Sequence, residues 1–114
     1  MKIKLKPSYI WPSGIDRALF SANIDIEELA KKYKLPFVRH EEVGMGWYSN
    51  TLFSLEDIEC VGVVEYDRSP AGSDYGATIH IDFGIEPVSA LAKICEALDL
   101  NESDLTWVND DAKT

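Results

Sequence analysis

Two segments near the middle of the chain carry the strand patterns that most constrain its fold. The stretch from Ile58 to Tyr66 is rich in valine, and the stretch from Ala77 to Phe83 alternates strictly between apolar and polar residues. A two-residue period places successive side chains on opposite faces of a strand, so both segments are expected to be strands of one sheet. The polar residues 68–75 between them predict a long exposed loop. The two strand segments and this loop together predict an antiparallel hairpin.

The pairing register of this hairpin decides which side chains form its apolar face. If Asp67 lies opposite Gly76, that face carries Cys60, Gly62, Val64 and Tyr66 together with Ala77, Ile79, Ile81 and Phe83. The polar face then carries Val61, Val63, Glu65, Thr78, His80 and Asp82.

Two helices are predicted from apolar spacing and from capping residues. Asp25 can cap a first helix that has Glu28 at its third position, and Pro36 ends that helix. Pro87 suits the first position of a second helix, whose apolar stripe is Val88, Leu91, Ile94, Cys95 and Leu98. We expect this second helix to pack on the apolar face of the sheet.

The remaining strand signals are weaker. Ile3 and Leu5 alternate with lysines, and further strands are expected from Phe37, over residues 47–55 and, as a short closing strand, over residues 105–108. The chain is therefore predicted to be one α+β domain over residues 1–114, frayed over residues 110–114. Its architecture is expected to be an antiparallel sheet of about five or six strands with two helices packed on one face.

Charge is sorted along the chain. The first 39 residues carry eight basic and four acidic side chains, a balance of +4, whereas residues 40–114 carry sixteen acidic and three basic ones, a balance of −13. Part of the basic excess has local explanations in a solvent-facing strand and in the last turn of a helix. The acidic excess has fewer such local explanations. It therefore predicts a negative surface that steers a basic partner into contact.

Composition argues against several classes of protein. The chain has no apolar stretch of the length that a signal peptide or a membrane span needs, so we expect a cytoplasmic protein without a membrane partner. The acidic excess opposes direct binding of nucleic acid, because affinity for phosphates comes from Lys and Arg. Cys60 and Cys95 are expected to be reduced and buried, not a disulfide or a zinc site. No nucleotide cofactor is expected, since Gly44-Met45-Gly46 lacks the lysine of a phosphate loop. No metal is expected either, since the side chains of strand neighbours such as His40 and Glu41 point to opposite faces and cannot bind one ion together.

One pair of residues has catalytic potential. His80 and Asp82 lie two positions apart on a predicted strand, so their side chains share a face, and a carboxylate can orient an imidazole as a general base. Strand alternation alone produces such pairs, and no nucleophile motif accompanies this one. We therefore expect no enzyme, and catalysis by His80 and Asp82 remains a further alternative.

Protein binding agrees better with the residues present. Tyr and Trp are common anchors of interfaces, and several of them lie beside carboxylates in this sequence. Tyr75 is the aromatic residue most expected to be exposed, whereas Trp47, Tyr66 and Trp107 can equally fill the core. The predicted partner-binding residues are Glu56, Asp57, Glu59, Glu65, Asp67, Asp74, Tyr75 and Asp82.

In size, charge and composition, the whole chain resembles the immunity proteins that bacteria pair with secreted toxins, including those of contact-dependent inhibition systems. The resemblance rests on these bulk properties and carries no residue roles with it. It implies an inhibitor that covers the active site of a basic toxin such as a nuclease, with acidic side chains in place of substrate phosphates. The leading hypothesis is therefore an acidic inhibitor of a basic protein partner, and the alternative is a small cytoplasmic adaptor that binds without inhibiting.

Overall fold

The computed structural model describes residues 5–8, 11, 16–42, 46–66 and 76–113. These residues form an antiparallel sheet of seven strands and two helices, which confirms the predicted α+β class and exceeds the expected number of strands. In chain order the elements are β1 (Lys6–Pro7), β2 (Asp16–Ala22), α1 (Ile26–Tyr33), β3 (Phe37–Glu42), β4 (Gly46–Leu55), β5 (Ile58–Tyr66), β6 (Ala77–Asp82), α2 (Pro87–Leu98) and β7 (Leu105–Val108). Two 3-10 turns, Glu102–Asp104 and Asp110–Ala112, flank β7.

The β5–β6 hairpin lies at the centre of the sheet. The strand order is β1-β4-β5-β6-β2-β7, and every pairing is antiparallel. One edge of β4 pairs with β5, whereas its other edge is shared by β3, which pairs with residues 46–51, and by β1, which pairs with Phe53 and Ser54. Although β2 comes early in the sequence, it lies between β6 and β7 in the sheet.

The predicted register of the β5–β6 hairpin is wrong by one residue. Val61 pairs with Ile81 and Val63 with Ile79, and all four of these side chains are fully buried. A slip of one residue moves every side chain of a strand to the opposite face. The buried face therefore carries Val61 and Val63 with Ala77, Ile79 and Ile81, whereas Cys60, Gly62 and Val64 share the other face with Thr78, His80 and Asp82. The loop at residues 67–75 lies outside the described residues.

The hydrophobic core lies between one face of the sheet and the two helices. Burying a Val, Leu, Ile or Phe side chain contributes about 1.5–3 kcal/mol relative to leaving it exposed, so this face holds the fold together. The hydroxyl of Tyr33 in α1 donates a hydrogen bond to the carbonyl of Ala97 in α2 at 3.4 Å, which joins the helices. The main core side chains are Leu19, Phe20, Phe53, Val61, Val63, Ile79 and Ile81 of the sheet and Ile26, Leu29, Ala90, Ile94, Ala97 and Leu98 of the helices.

Both helices begin where the sequence predicts. One carboxylate oxygen of Asp25 accepts hydrogen bonds from the backbone N–H groups of Glu27 and Glu28 at 3.0 and 3.1 Å. Pro87 occupies the first turn of α2. The residue before it, Glu86, caps the helix, because its carboxylate accepts a hydrogen bond from the backbone N–H of Ser89 at 2.6 Å. Among the described residues, no helix has the length and apolar character that crossing a membrane requires.

The end of the chain packs against the core. The sequence predicts fraying over residues 110–114, whereas Asp110–Ala112 form a 3-10 turn in which Ala112 is only 1% exposed. Asn109 caps this turn by accepting a hydrogen bond from the N–H of Asp111 at 2.9 Å. The guanidinium of Arg17 in β2 also lies 3.3 Å from the carboxylate of Asp111. One buried alanine therefore anchors a segment whose acidic composition indicates only exposure.

Candidate functional site

A cavity of about 490 Å³ opens at one end of the central hairpin. It lies where the β4–β5 turn meets the end of β6, beside Ser8 and Trp11. We call it the acidic cavity, and its lining residues are Ser8, Trp11, Asp57, Glu59, Cys60, Asp82 and Ile85.

The hairpin itself brings the carboxylates of the cavity together. Asp57 lies in the two-residue turn before β5, Glu59 is the second residue of β5, and Asp82 is the last residue of β6. Because Val61 pairs with Ile81, the residues that precede Val61 and those that follow Ile81 lie at the same end of the two strands. Residues that are more than 20 positions apart in the sequence thus face one cavity.

The three carboxylates differ in their surroundings. Asp57 forms an ion pair with Lys93 of α2, with 2.8 Å between the carboxylate oxygen and the ammonium nitrogen. Asp82 accepts a hydrogen bond from the N–H of Gly84 at 3.0 Å and is half-buried. Glu59 is exposed. Among the described residues, the cavity and its rim hold three carboxylates and one ammonium group, which leaves a negative excess.

Trp11 forms an aromatic wall of the cavity because Gly62 allows its ring to lie against the sheet. A Cβ atom at position 62 would come within 2.5 Å of Cζ3 and 2.7 Å of Cη2 of Trp11. Trp11 is not among the residues that the sequence predicts for a site. The signal that could have found it is Gly62, since a glycine inside a strand often marks the close approach of another group.

His80 lies beside this wall and contacts a carboxylate other than the expected one. Its ring centre is 5.6 Å from that of Trp11, and its Nδ1 lies 3.0 Å from a carboxylate oxygen of Asp16 in β2. The geometry of this contact falls short of a well-formed hydrogen bond. Burial lowers the pKa of His80 below 6.5, and Asp16 opposes that shift only in part. His80 and Asp82 share a face as predicted, but the carboxylate that lies against the His80 ring is that of Asp16.

Three of the predicted partner-binding residues come together at the acidic cavity, namely Asp57, Glu59 and Asp82. Glu56 lies next to them in the β4–β5 turn and is exposed. Glu65 does not join this group, because six residues of an extended strand separate it from Glu59 by about 20 Å. Asp67, Asp74 and Tyr75 lie outside the described residues.

The two cysteines are free and lie in different places. Cys60 lines the acidic cavity, where its sulfur lies 3.7 Å from the hydroxyl oxygen of Ser8. Burial, with a smaller contribution from the carboxylate of Asp104, raises the pKa of Cys95 to about 11, so its thiol is protonated at neutral pH. Both are half-buried, where the sequence predicted buried thiols. Within the described part of the chain, no three His, Cys, Asp or Glu side chains are grouped to hold a metal ion.

Of the other aromatic residues, the described side chains of Trp47, Tyr48 and Trp107 do not line the acidic cavity. Trp47 and Trp107 are 47% and 41% exposed, respectively. The ring of Trp47 lies 5.6 Å from the guanidinium of Arg39, and Tyr48 stacks on His40 with 5.2 Å between ring centres. The side chain of Tyr66 is outside the described part of the structure.

Comparison of the chain with protein-family models, with curated proteins and with solved structures finds no match in any of the three.

Proposed function

We propose that this protein binds a basic protein partner through the acidic cavity and inhibits it, as an immunity protein inhibits its toxin. The observation that carries the proposal is the grouping of Asp57, Glu59 and Asp82 around the indole of Trp11 in a cavity of about 490 Å³. Carboxylates attract the ammonium or guanidinium group of a partner, and a tryptophan ring adds a cation–π contact. A nuclease that binds the phosphates of its substrate presents such cationic groups at its active site.

The overall charge supports the same proposal. A net charge of −9 creates a field that accelerates encounter with a basic protein. Electrostatic steering raises association rates to about 10⁸–10⁹ M⁻¹s⁻¹ at low salt, against about 10⁵–10⁶ M⁻¹s⁻¹ for uncharged surfaces. Rapid capture matters for an inhibitor, because the toxin must be bound before it acts.

The proposal is tested by finding the partner and measuring how quickly it binds. The product of the gene immediately upstream is the first candidate, and pull-down with the full chain extends the search. Stopped-flow association should then slow steeply as NaCl is raised, because exposed charges are screened beyond a Debye length of about 8 Å at physiological ionic strength. An association rate that does not depend on salt contradicts the steering argument.

A pair of single substitutions locates the contact. Glu59→Gln removes one charge at the acidic cavity, whereas Glu27→Gln removes one charge from the first turn of α1. Unit charges about 7 Å apart interact by about 0.6 kcal/mol in water, so Glu59→Gln should slow association about threefold at low salt. Glu27→Gln should have a smaller effect, because α1 follows the Ala22 end of β2 and Asp82 pairs with the opposite end at Asp16. Equal effects of the two substitutions would contradict a contact at the cavity.

Inhibition distinguishes the proposal from the alternative of an adaptor. Both proteins bind a partner, but only the inhibitor lowers the partner's own activity in proportion to the fraction bound. Titrating the partner's activity with the full chain decides between them.

A second candidate function, catalysis, is favoured by the contact between His80 and Asp16. The lowered pKa keeps the imidazole of His80 neutral at pH 7, which is the form that accepts a proton, and Asp16 lies 3.0 Å from its Nδ1. Catalysis by His80 predicts a turnover that His80→Asn abolishes while partner affinity is unchanged. Binding without such turnover favours the inhibitor.

A further inference from the structure

Among the described residues, Phe83 has the most exposed of the large apolar side chains. It is 58% exposed, and it lies in the turn after β6, next to Asp82 of the acidic cavity. The alternation along β6 assigns Phe83 to the same face as Ile79 and Ile81, both of which are fully buried. Phe83 therefore continues a buried stripe of the sheet into solvent.

The guanidinium of Arg17 supports the exposed ring. Arg17 lies opposite Ile81 in the sheet, and its Cζ is 4.8 Å from the centre of the Phe83 ring. Its Nη2 donates to the carbonyl of Ile85 at 3.1 Å and its Nη1 to the carboxylate of Asp111 at 3.3 Å. The ring thus packs against a cation that is itself held at two points, outside the core.

An aromatic ring that is exposed and already held in place is suited to anchor a protein partner. Aromatic side chains are enriched among the residues that contribute most to binding. A ring that is held before binding also loses less conformational freedom when the partner covers it. Trp47 is similar in both respects, since it is 47% exposed and lies 5.6 Å from the guanidinium of Arg39.

The surrounding charge distinguishes Phe83 from Trp47. Phe83 lies at the end of the sheet that carries the β4–β5 turn, whereas Trp47 lies near the start of β4, at the opposite end. We call the Phe83 end the acidic end, because the described residues there include eight carboxylates and four basic side chains. The carboxylates are Asp16, Glu56, Asp57, Glu59, Asp82, Glu86, Asp110 and Asp111, and the basic side chains are Lys6, Arg17, Lys93 and Lys113.

We propose that Phe83 is the aromatic anchor of the interface with a basic partner, where its ring enters an apolar pocket that cationic side chains of the partner surround. The inference rests on the function proposed above and adds an apolar contact to the charged ones at the acidic cavity. Carboxylates act mainly on the rate of encounter, and salt screens them. An apolar anchor acts mainly on the lifetime of the complex, so its effect should persist when salt is raised.

The test uses two basic octapeptides as probes, because they carry the chemistry proposed for the partner. Each has six lysine and arginine residues, and the other two positions, the third and the sixth, are leucine in one peptide and serine in the other. At about 10 mM NaCl both should bind the ¹⁵N-labelled full chain with saturable shifts at the amides of Glu59 and Gly84. The leucine peptide should bind at least threefold more tightly and should also shift the amide of Phe83. Added salt should weaken the binding of both peptides and leave the ratio of their affinities unchanged.

Two substitutions of exposed aromatic residues are matched. Phe83→Ser removes the proposed anchor, whereas Trp47→Ser removes a ring that also lies beside an arginine but at the opposite end of the sheet. The leucine peptide should bind at least threefold more weakly to Phe83→Ser, and the serine peptide less than twofold more weakly. Neither peptide should change by more than twofold in Trp47→Ser. Phe83→Leu keeps an apolar side chain and should keep most of the preference for the leucine peptide, and the ¹⁵N spectra report whether each variant is folded.

The results distinguish the anchor from the proposed function on which it rests. Salt-dependent binding of both peptides with equal affinity would overturn the anchor and leave the charged contact at the acidic cavity in place. A preference for leucine that persists in Phe83→Ser, or that Trp47→Ser removes as well, would also overturn the anchor alone. The absence of binding at low salt would contradict both proposals. A concentration-dependent dimer that Phe83→Ser abolishes would assign the ring to a second copy of the chain and overturn the inference.

Discussion

The side chain of His80 should make the stability of the protein depend on pH. Burial lowers its pKa in the folded state below the 6.5 of an exposed histidine, and Asp16 offsets that effect only in part. The unfolded chain therefore takes up the proton at a higher pH than the folded one. Above about pH 7.5 both states hold a neutral imidazole and His80 has no effect, whereas the free energy of unfolding falls as the pH drops through about 6.5 toward the folded pKa.

Replacing His80 isolates this contribution from that of the carboxylates. Urea unfolding of His80→Asn should show a smaller loss of stability between about pH 7.5 and pH 5.5 than the wild type. An NMR titration of the His80 ring gives the folded pKa directly, and a value above 6.5 would refute the prediction.

Gly62 is the residue on which the position of Trp11 depends. In Gly62→Ala the new Cβ atom would lie 2.5 Å from the indole, so the ring must move away from the sheet. Overpacking of this kind costs about 1–3 kcal/mol, which urea unfolding measures, and tryptophan emission should shift to longer wavelength as the ring becomes more exposed. Gly84→Ala is the matched control, because the nearest atom to its Cβ would be a carboxylate oxygen of Asp82 at 3.7 Å. Similar losses of stability in both variants would count against the wall formed by Trp11.

At the scale of elements, the start of α1 depends on one carboxylate. Asp25 satisfies two backbone N–H groups that have no partner within the helix. Asp25→Ala should lower the free energy of unfolding by about 1 kcal/mol, and Asp25→Asn should recover most of that loss because its carbonyl oxygen can still accept. Hydrogen exchange should accelerate at the amides of Glu27 and Glu28 in the alanine variant. Unchanged exchange at these amides would show that the cap is dispensable.

The two helices and most of the strands could be predicted from the sequence because their signals are local, whereas β2 (Asp16–Ala22) was not predicted. Asp25 and Pro87 each mark a helix start within a few residues of the chain. The register of β5 against β6 could not, since Val61 and Val63 on one face and Cys60, Gly62 and Val64 on the other are all compatible with burial. Alternation in β6 identifies its own buried face, but nothing in β5 selects which of its two faces joins it.

The candidate site was predictable only in the part that the hairpin assembles. Asp57, Glu59 and Asp82 meet because antiparallel pairing brings the two ends of the hairpin together. Glu65 lies in β5 like Glu59, but it is too far along the strand to reach the acidic cavity. The number of acidic residues in a segment gives no information about this distance. Trp11 and Asp16 reach the site through contacts between distant segments, and no local pattern in the sequence specifies such contacts.

At the scale of the whole molecule, the charge sorting along the sequence is only partly a sorting in space. Arg17, from the basic first third, lies against Asp111 near the end of the chain, and Lys93 pairs with Asp57. Lys113 pairs with Asp110 one turn away. These pairs neutralise part of the acidic excess, and the remaining carboxylates repel one another in the folded state. A net charge of −9 on a chain of 114 residues should therefore reduce its stability at low salt.

Raising NaCl from about 10 mM to about 300 mM should accordingly increase the free energy of unfolding, because the Debye length falls from about 30 Å to below about 8 Å. The double variant Glu56→Gln/Glu59→Gln removes two exposed carboxylates that have no basic partner among the described residues. It should be more stable than the wild type at low salt and should gain less from added salt, as measured by thermal unfolding. Asp57→Asn removes the same kind of charge but also breaks the ion pair with Lys93, so it should gain less stability than either neighbouring substitution. Stability that falls as salt rises would mean that attraction within the ion pairs outweighs the repulsion among the remaining carboxylates.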